Sequence, residues 1–244
     1  MDAPAILAAL RAVAVPEKAA EMAAYMKNRF TFLGVATPVR RQTGKPYFRA
    51  DKARAVDWAF IDTCWNSPYR EMHYIATDYL RTKQAQLTAA DLPRLQALIV
   101  RNAWWDSVDA FIRPLGDILC RYPQARAQIE AMSRADDYWL RRAAITAQLL
   151  AKDATDTALL ATVINNNLNQ REILHQQGHR LGTAPVQQNG RRLGAALHRH
   201  PPGRLERTQP PRSGQISGLT QPQSVAARRA ALPLPTRSTL PSCW

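Results

Sequence analysis

Apolar residues in the first two-thirds of the chain recur every three to four positions, the period of one helix face. Bounded by breakers, these runs predict helices over Ala5–Val13, Glu17–Phe30, Ala53–Trp65, Pro68–Lys83, Ala89–Arg101, Trp105–Arg121, Ala125–Arg134, Asp137–Lys152 and Asp156–Asn167. Pro16 sits where the second of these can begin, and Thr37-Pro38 reads as a cap followed by proline at the first helical position of another. Breaks fall at Asn66-Ser67-Pro68, Thr88, Tyr122-Pro123 and Asp153-Ala154. No stretch alternates with a period of two, so the expected fold class is all-α.

The helices fall into pairs, and the second members share a loose pattern. It runs through Tyr74–Leu80, Pro114–Leu119 and Ala144–Leu150. The offsets between them suit a two-helix repeat whose units bury one face against the next, a HEAT-like solenoid with a concave surface. An irregular helical bundle is the alternative. A solenoid that lacked its last repeat would expose an apolar face.

Composition changes near Glu172. Residues 173–244 carry ten arginines, no lysine, one acid (Glu206) and nine of the 17 prolines. That leaves 23 bases and 18 acids, net +5, in residues 1–172. Prolines at that density interrupt helices, and the self-repelling tail lacks apolar periodicity, so it is expected to be disordered. The organisation predicted is a helical domain over 1–172, incomplete at its C-terminal end, and an Arg/Pro-rich tail over 173–244. One choice of synonymous codons for Leu174–Arg192, read one base later, gives an amphipathic helix and a turn. The tail is therefore expected to be out of frame; the alternative is a basic, disordered segment that binds nucleic acid.

The whole chain has a formal net charge of +14, which attracts a polyanion, either nucleic acid or an anionic membrane surface. No segment has the apolar length of a membrane span. Met1-Asp2-Ala3-Pro4 begins with an acid and no basic n-region, so a secretory signal is not expected. Cys64, Cys120 and Cys243 form no CxxC pair and suit a reducing cytoplasm. His198 and His200 lie two apart without a clear third ligand, so neither a metal nor another cofactor is expected.

Two clusters could carry chemistry. In Asn102–Asp109, Trp105 and Asp109 are four apart and would share a helix face. If Asp106 capped that helix, Asp109 would face its positive end and stay ionised. The competing reading makes Trp104 and Trp105 core and the two aspartates a capping pair. In Tyr138–Ile145, Arg141 and Arg142 enter an apolar helix, either as solvated flanks of a core stripe or as a phosphate clamp. Lys27, Arg29, Arg40 and Arg41 add positive charge near the N-terminus, and the helix headed by Thr37 offers exposed N–H groups to a phosphate.

Three motifs in order carry a resemblance. Tyr25–Val35 with Thr37-Pro38 and Arg40-Arg41, then Trp104–Asp109, then Trp139–Ile145 resemble successive signatures of the AlkD-type DNA alkylation repair glycosylases. The likeness covers residues from about 15 to 172. It implies a HEAT-like helical repeat protein that removes cationic alkylated purines from duplex DNA, with Asp109 as the catalytic carboxylate and Trp105 against the sugar of the damaged nucleotide. It further implies that Arg142 contacts the backbone beside the lesion and that Thr37, Lys27, Arg40, Arg41 and Trp104 help hold DNA. A cytoplasmic, nucleoid-associated monomer is expected. The family has a second tryptophan in its final repeats. This chain lacks a match for it, and the shifted frame restores one, which leaves the activity of this particular chain open. A non-catalytic module that binds distorted or branched DNA is the alternative function.

The implied chemistry is coherent. A purine alkylated at N3 of adenine or N7 of guanine leaves without protonation, and cleavage builds positive charge on the deoxyribose. A carboxylate about 4 Å away stabilises that charge by roughly 4 kcal/mol at an effective dielectric of 20, about three decades of rate.

Overall fold

The computed structural model of the chain describes residues 1–168. The expected tail and the boundary at 172 lie outside them. Within them the fold is all-helical: α1 (Ala3–Arg11), α2 (Pro16–Tyr25), α3 (Thr37–Asp51), α4 (Trp58–Trp65), α5 (Arg70–Thr82), α6 (Leu92–Val100), α7 (Trp105–Val108), α8 (Ile112–Arg121), α9 (Ala125–Met132), α10 (Tyr138–Thr146) and α11 (Thr157–Asn165). No described helix is long and apolar enough to cross a membrane. The only pairing of extended backbone among the described residues is an isolated bridge between Thr31 and Tyr69.

The helices pack through one continuous apolar core that runs from Ile6 and Leu10 of α1 to Val163 and Ile164 of α11. α4 lies against α5, α9 against α10, and α10 against both α6 and α11. Trp65 is the largest fully buried side chain among the described residues. Its indole N–H donates to the Arg101 carbonyl at 3.0 Å, so its polar atom is satisfied inside the core.

Helix starts depart from the sequence reading where a polar residue has stronger work elsewhere. α4 begins at Trp58 rather than Ala53, because the Asp57 carboxylate accepts from the Phe60 N–H at 2.9 Å and caps it there. The cap of α3 is Ala36, so Thr37 stands at the first helical position and Pro38 at the second. The expected helix over Trp105–Arg121 is three pieces: α7, a 3₁₀ turn over Asp109–Phe111, and α8. The expected helix over Asp137–Lys152 stops at Thr146 as α10. Asp137 and Asp156 do cap their helices.

The connection from α2 to α3 is held by one buried side chain. Glu71 of α5 is 0% exposed, and its carboxylate accepts from the backbone N–H groups of Leu33, Gly34 and Val35 at 2.9–3.1 Å. Gly34 takes φ +83°, and a Cβ there would lie 2.0 Å from the Val15 carbonyl oxygen.

Glu71→Ala strips the acceptor from three buried N–H groups at roughly 1–3 kcal/mol each, so a loss of at least about 3 kcal/mol is expected. A thermal melt should show a fall of about 6 °C or more. Gly34→Ala should destabilise by a similar amount through steric overlap, with the carboxylate intact. A Glu71→Ala protein that melts with the parent would show that this clamp carries no stability.

Candidate active site

Two charged side chains at the start of α5 and on α10 set the site. Arg70, the first residue of α5, is 0% exposed. Its guanidinium donates to both carboxylate oxygens of Asp106 at 2.6 and 3.0 Å and to the Asn102 carbonyl at 2.8 Å, and it lies 3.8 Å from the centroid of the Phe30 ring. This fork fixes the turn before α7. Asn102 accepts the turn's left-handed conformation at φ +54°, and its side-chain amide donates to the Trp65 carbonyl. The Tyr74 hydroxyl also donates to Asp106. Asp106 is therefore an ion-pair partner rather than the cap of α7; the N-cap position is Trp104.

His73, one turn along α5, lies against Arg70. Its Nε2 faces the Ser67 carbonyl at 3.0 Å, so that nitrogen carries the proton, and Nδ1 accepts from Arg70 Nη1 at 3.1 Å. Burial, with the neighbouring guanidinium, drives the imidazole down from its ordinary 6.5 to about 4, so it is neutral at physiological pH.

The 3₁₀ turn brings Asp109 over Arg142 of α10. The Arg142 side chain is 3% exposed and that of Asp109 is 26% exposed. The guanidinium grips the carboxylate through Nε to Oδ1 at 3.0 Å, Nη2 to Oδ1 at 2.9 Å and Nη2 to Oδ2 at 3.1 Å. The remaining nitrogen, Nη1, is buried with no hydrogen-bond partner. Beside Asp109 stands Trp105, and Tyr25, 70% exposed at the end of α2, meets its ring edge-on at 5.9 Å.

Trp105, Asp109, Thr37, Arg40 and Arg41 line one cleft of ≈ 640 Å³, with Tyr25, Tyr74 and Leu150 among the other walls. Arg142 lies behind Asp109 rather than on the cleft surface. Arg40 is also buried: it donates to Asp78 at 3.1–3.2 Å and stacks 4.7 Å from the Tyr74 ring. Arg41 and Thr37 are exposed. Lys27 is exposed at φ +56° in the turn after α2 and is not part of the cleft lining. Trp104 is likewise outside that lining; it packs on Trp139 at 5.7 Å, with the Arg29 guanidinium 4.3 Å from its ring.

The cleft wall carries equal numbers of acids and bases. Glu21, Asp78, Asp106 and Asp109 balance Arg40, Arg41, Arg81 and Arg113 along its wall. Among the described residues no group of three or more His, Cys, Asp or Glu side chains could hold a metal ion. Sequence reasoning missed Tyr25, Arg81 and Arg113 as cleft residues. Arg113 stands four residues after Asp109, a spacing that could have pointed to it.

A family model described as DNA alkylation repair enzyme matches residues 6–179. The chain belongs to the DNA alkylation repair enzyme family. A solved structure described as a predicted DNA alkylation repair enzyme from Enterococcus faecalis is similar, with a TM-score of 0.66 and 26% identity. That similarity covers 76% of this chain and 89% of the other. No curated protein matches the chain. Membership of this family gives the protein a role in DNA repair with DNA as its partner, and the cleft brings the Asp109 carboxylate, aromatic faces and solvent access together.

The His73 environment has a measurable consequence. The folded protein holds the imidazole neutral down to about pH 4, whereas the unfolded chain protonates it near 6.5. The unfolded state therefore binds more protons between those values, and stability falls as pH falls through that window, by up to about 3 kcal/mol from this group. Denaturant titrations between pH 7 and 4 should show that slope in the parent and a shallower one in His73→Gln. Equal slopes would remove His73 from the acid sensitivity.

Proposed function

We propose that this protein hydrolyses the N-glycosidic bond of cationic alkylated purines, N3-alkyladenine and N7-alkylguanine, in duplex DNA, and that its helices form a HEAT-like repeat array around the DNA. The observation that carries this reading is the Asp109 carboxylate. It lies in an aromatic cleft, partly open to solvent, and its back is fixed by a buried arginine. In this reading Trp105 and Tyr25 lie against the sugar and base, where aromatic faces attract the cationic leaving group by roughly 0.5–2 kcal/mol. Asp109 faces the positive charge that grows on the deoxyribose and orients the attacking water. The base already carries the charge that makes it leave, so no second acid is required.

Arg142 changes the magnitude. Its charge lies roughly 4 Å behind the carboxylate, so it opposes a cation 4 Å in front of Asp109 from about 8 Å, taking back about 2 of the 4 kcal/mol. The pair as a whole then supplies about 2 kcal/mol, between one and two decades of rate. In exchange, the fork holds the Asp109 carboxylate in one orientation.

The test is release of N7-methylguanine from a methylated duplex. Asp109→Asn should slow release by two to three decades, because it removes the attraction and leaves the opposing charge of Arg142. Adding Arg142→Met should recover about one decade, and it also removes the penalty of a buried unpaired charge that the single variant carries. Thermal melts of each variant fix the assay temperature below unfolding. Release that is unchanged in Asp109→Asn would take Asp109 out of the mechanism. A parent chain that binds the duplex and releases no base would make it a non-catalytic DNA-binding module.

A further inference from the structure

A second groove opens beside the cleft and has its own charge character. Arg41, Lys45 and Arg49 of α3 and Lys52, its C-cap in helical conformation, follow at intervals of four, four and three residues, which places them on one face. All four are exposed, as is Arg81 at the end of α5. With Phe48 between them they line a groove of ≈ 420 Å³. The single acid on its wall, Asp78, is already engaged by Arg40 at 3.1 Å and Arg41 at 3.5 Å. The only acid within α3 is Asp51, buried in an ion pair with Lys83 at 2.9 Å. The exposed charge of the helix is therefore all of one sign.

Like charges four apart on a helix destabilise it by roughly 0.2–0.5 kcal/mol per pair. A row of them without neighbouring acids is relieved by an external anion. The stripe extends roughly 16 Å, eleven residues at helical rise, about half a turn of B-form duplex. Arg41, Asp78 and Arg81 line both this groove and the cleft that contains Asp109, so the two run into one another.

We propose that this groove carries the phosphodiester backbone of duplex DNA flanking the nucleotide held at Asp109, with Lys45, Arg49, Lys52 and Arg81 neutralising successive phosphates. The inference rests on the reading of the cleft as the place where the damaged nucleotide sits. The binding is independent of sequence, because point charges on a phosphate path read no base edges. An anionic membrane fits less well: the groove's aromatic residue, Phe48, is 8% exposed and has no face to insert into lipid.

The full chain and the triple variant Lys45→Gln, Arg49→Gln, Lys52→Gln are compared on one undamaged duplex across 50–200 mM salt. Loss of three phosphate contacts lowers the slope of log affinity against log salt by about 2.7, so the affinity lost over that range shrinks by about 40-fold. A second triple, Lys18→Gln, Arg94→Gln, Arg134→Gln, removes the same charge from exposed positions outside both grooves. An equal change in that control, or no change in the first triple, overturns the proposal. In the unaltered chain, bound duplex should protect Lys45 and Lys52 from an amine-reactive ester; undiminished labelling also overturns it, whatever the fold of the variants. Phosphatidylserine-rich vesicles form the third arm. Vesicle binding that the triple variant abolishes, with an unaltered DNA slope, would make the groove a membrane surface instead. Base release by the parent is scored separately. A chain that releases base with an unaltered slope keeps the reaction and loses the groove, and one with the lowered slope and no release keeps the groove and loses the reaction.

Discussion

Two adjacent side chains of opposite charge, Arg70 and Glu71, are both fully buried in the first turn of α5, and the cleft depends on them. Glu71 gathers three backbone N–H groups from the α2–α3 connection, and Arg70 gathers Asp106 and the Asn102 carbonyl from the turn before α7. One helix start thus holds the two chain segments that carry Tyr25 and Thr37 on one side and Trp105 and Asp109 on the other. Burying such ions is unfavourable unless nearly every lone pair and proton is matched. Arg70 meets that condition with a carboxylate, a carbonyl, an imidazole nitrogen and an aromatic ring. His73 has to remain neutral in this arrangement, since a second cation against Arg70 would undo it, and its lowered pKa follows from that placement.

The same logic recurs on α10 with a different outcome. Arg142 satisfies its charge on Asp109, but the carboxylate it holds is a quarter exposed and faces the cleft. The Arg70–Asp106 pair is closed more tightly, with its carboxylate only 6% exposed on the same cleft wall. The unmatched Nη1 of Arg142 marks the same departure from full satisfaction. On the proposed chemistry the incomplete pair is a compromise between two needs. The carboxylate must stay ionised and oriented, and it must still present negative charge to a developing cation.

Much of this was legible in the sequence because helix periodicity and breakers are local. The shared face of Trp105 and Asp109 survives even though the helix that predicted it is broken by a 3₁₀ turn, since both geometries bring residues three to four apart to the same side. The roles of individual polar residues were harder to read. Thr37 and Asp106 are good capping types, yet Ala36 and Trp104 occupy the cap positions. For Asp106, a buried arginine 36 residues away outbids a backbone amide for its carboxylate. Arg142 looked like a surface clamp, because sequence cannot distinguish a cation on the solvent side of an apolar helix from one beneath a carboxylate. Tyr25 lay inside a recognised motif, but only the packing against Trp105 gives it a place in the cleft.

On the proposed chemistry, the distribution of charge around the cleft suits a cationic substrate. Repulsion by a surplus of positive side chains at the reacting centre would raise the barrier to forming a positively charged sugar. The cleft wall is balanced, four acids against four bases, and its buried Arg40 is already neutralised by Asp78. The one-signed stripe lies farther out along α3. At physiological ionic strength the screening length is about 8 Å, so exposed cations beyond that distance would add little repulsion at Asp109 while still attracting a polyanion. On the proposed chemistry, a balanced cleft that runs into a one-signed groove lets one continuous surface attract a polyanion and stabilise a cation, which a uniformly basic groove could not do.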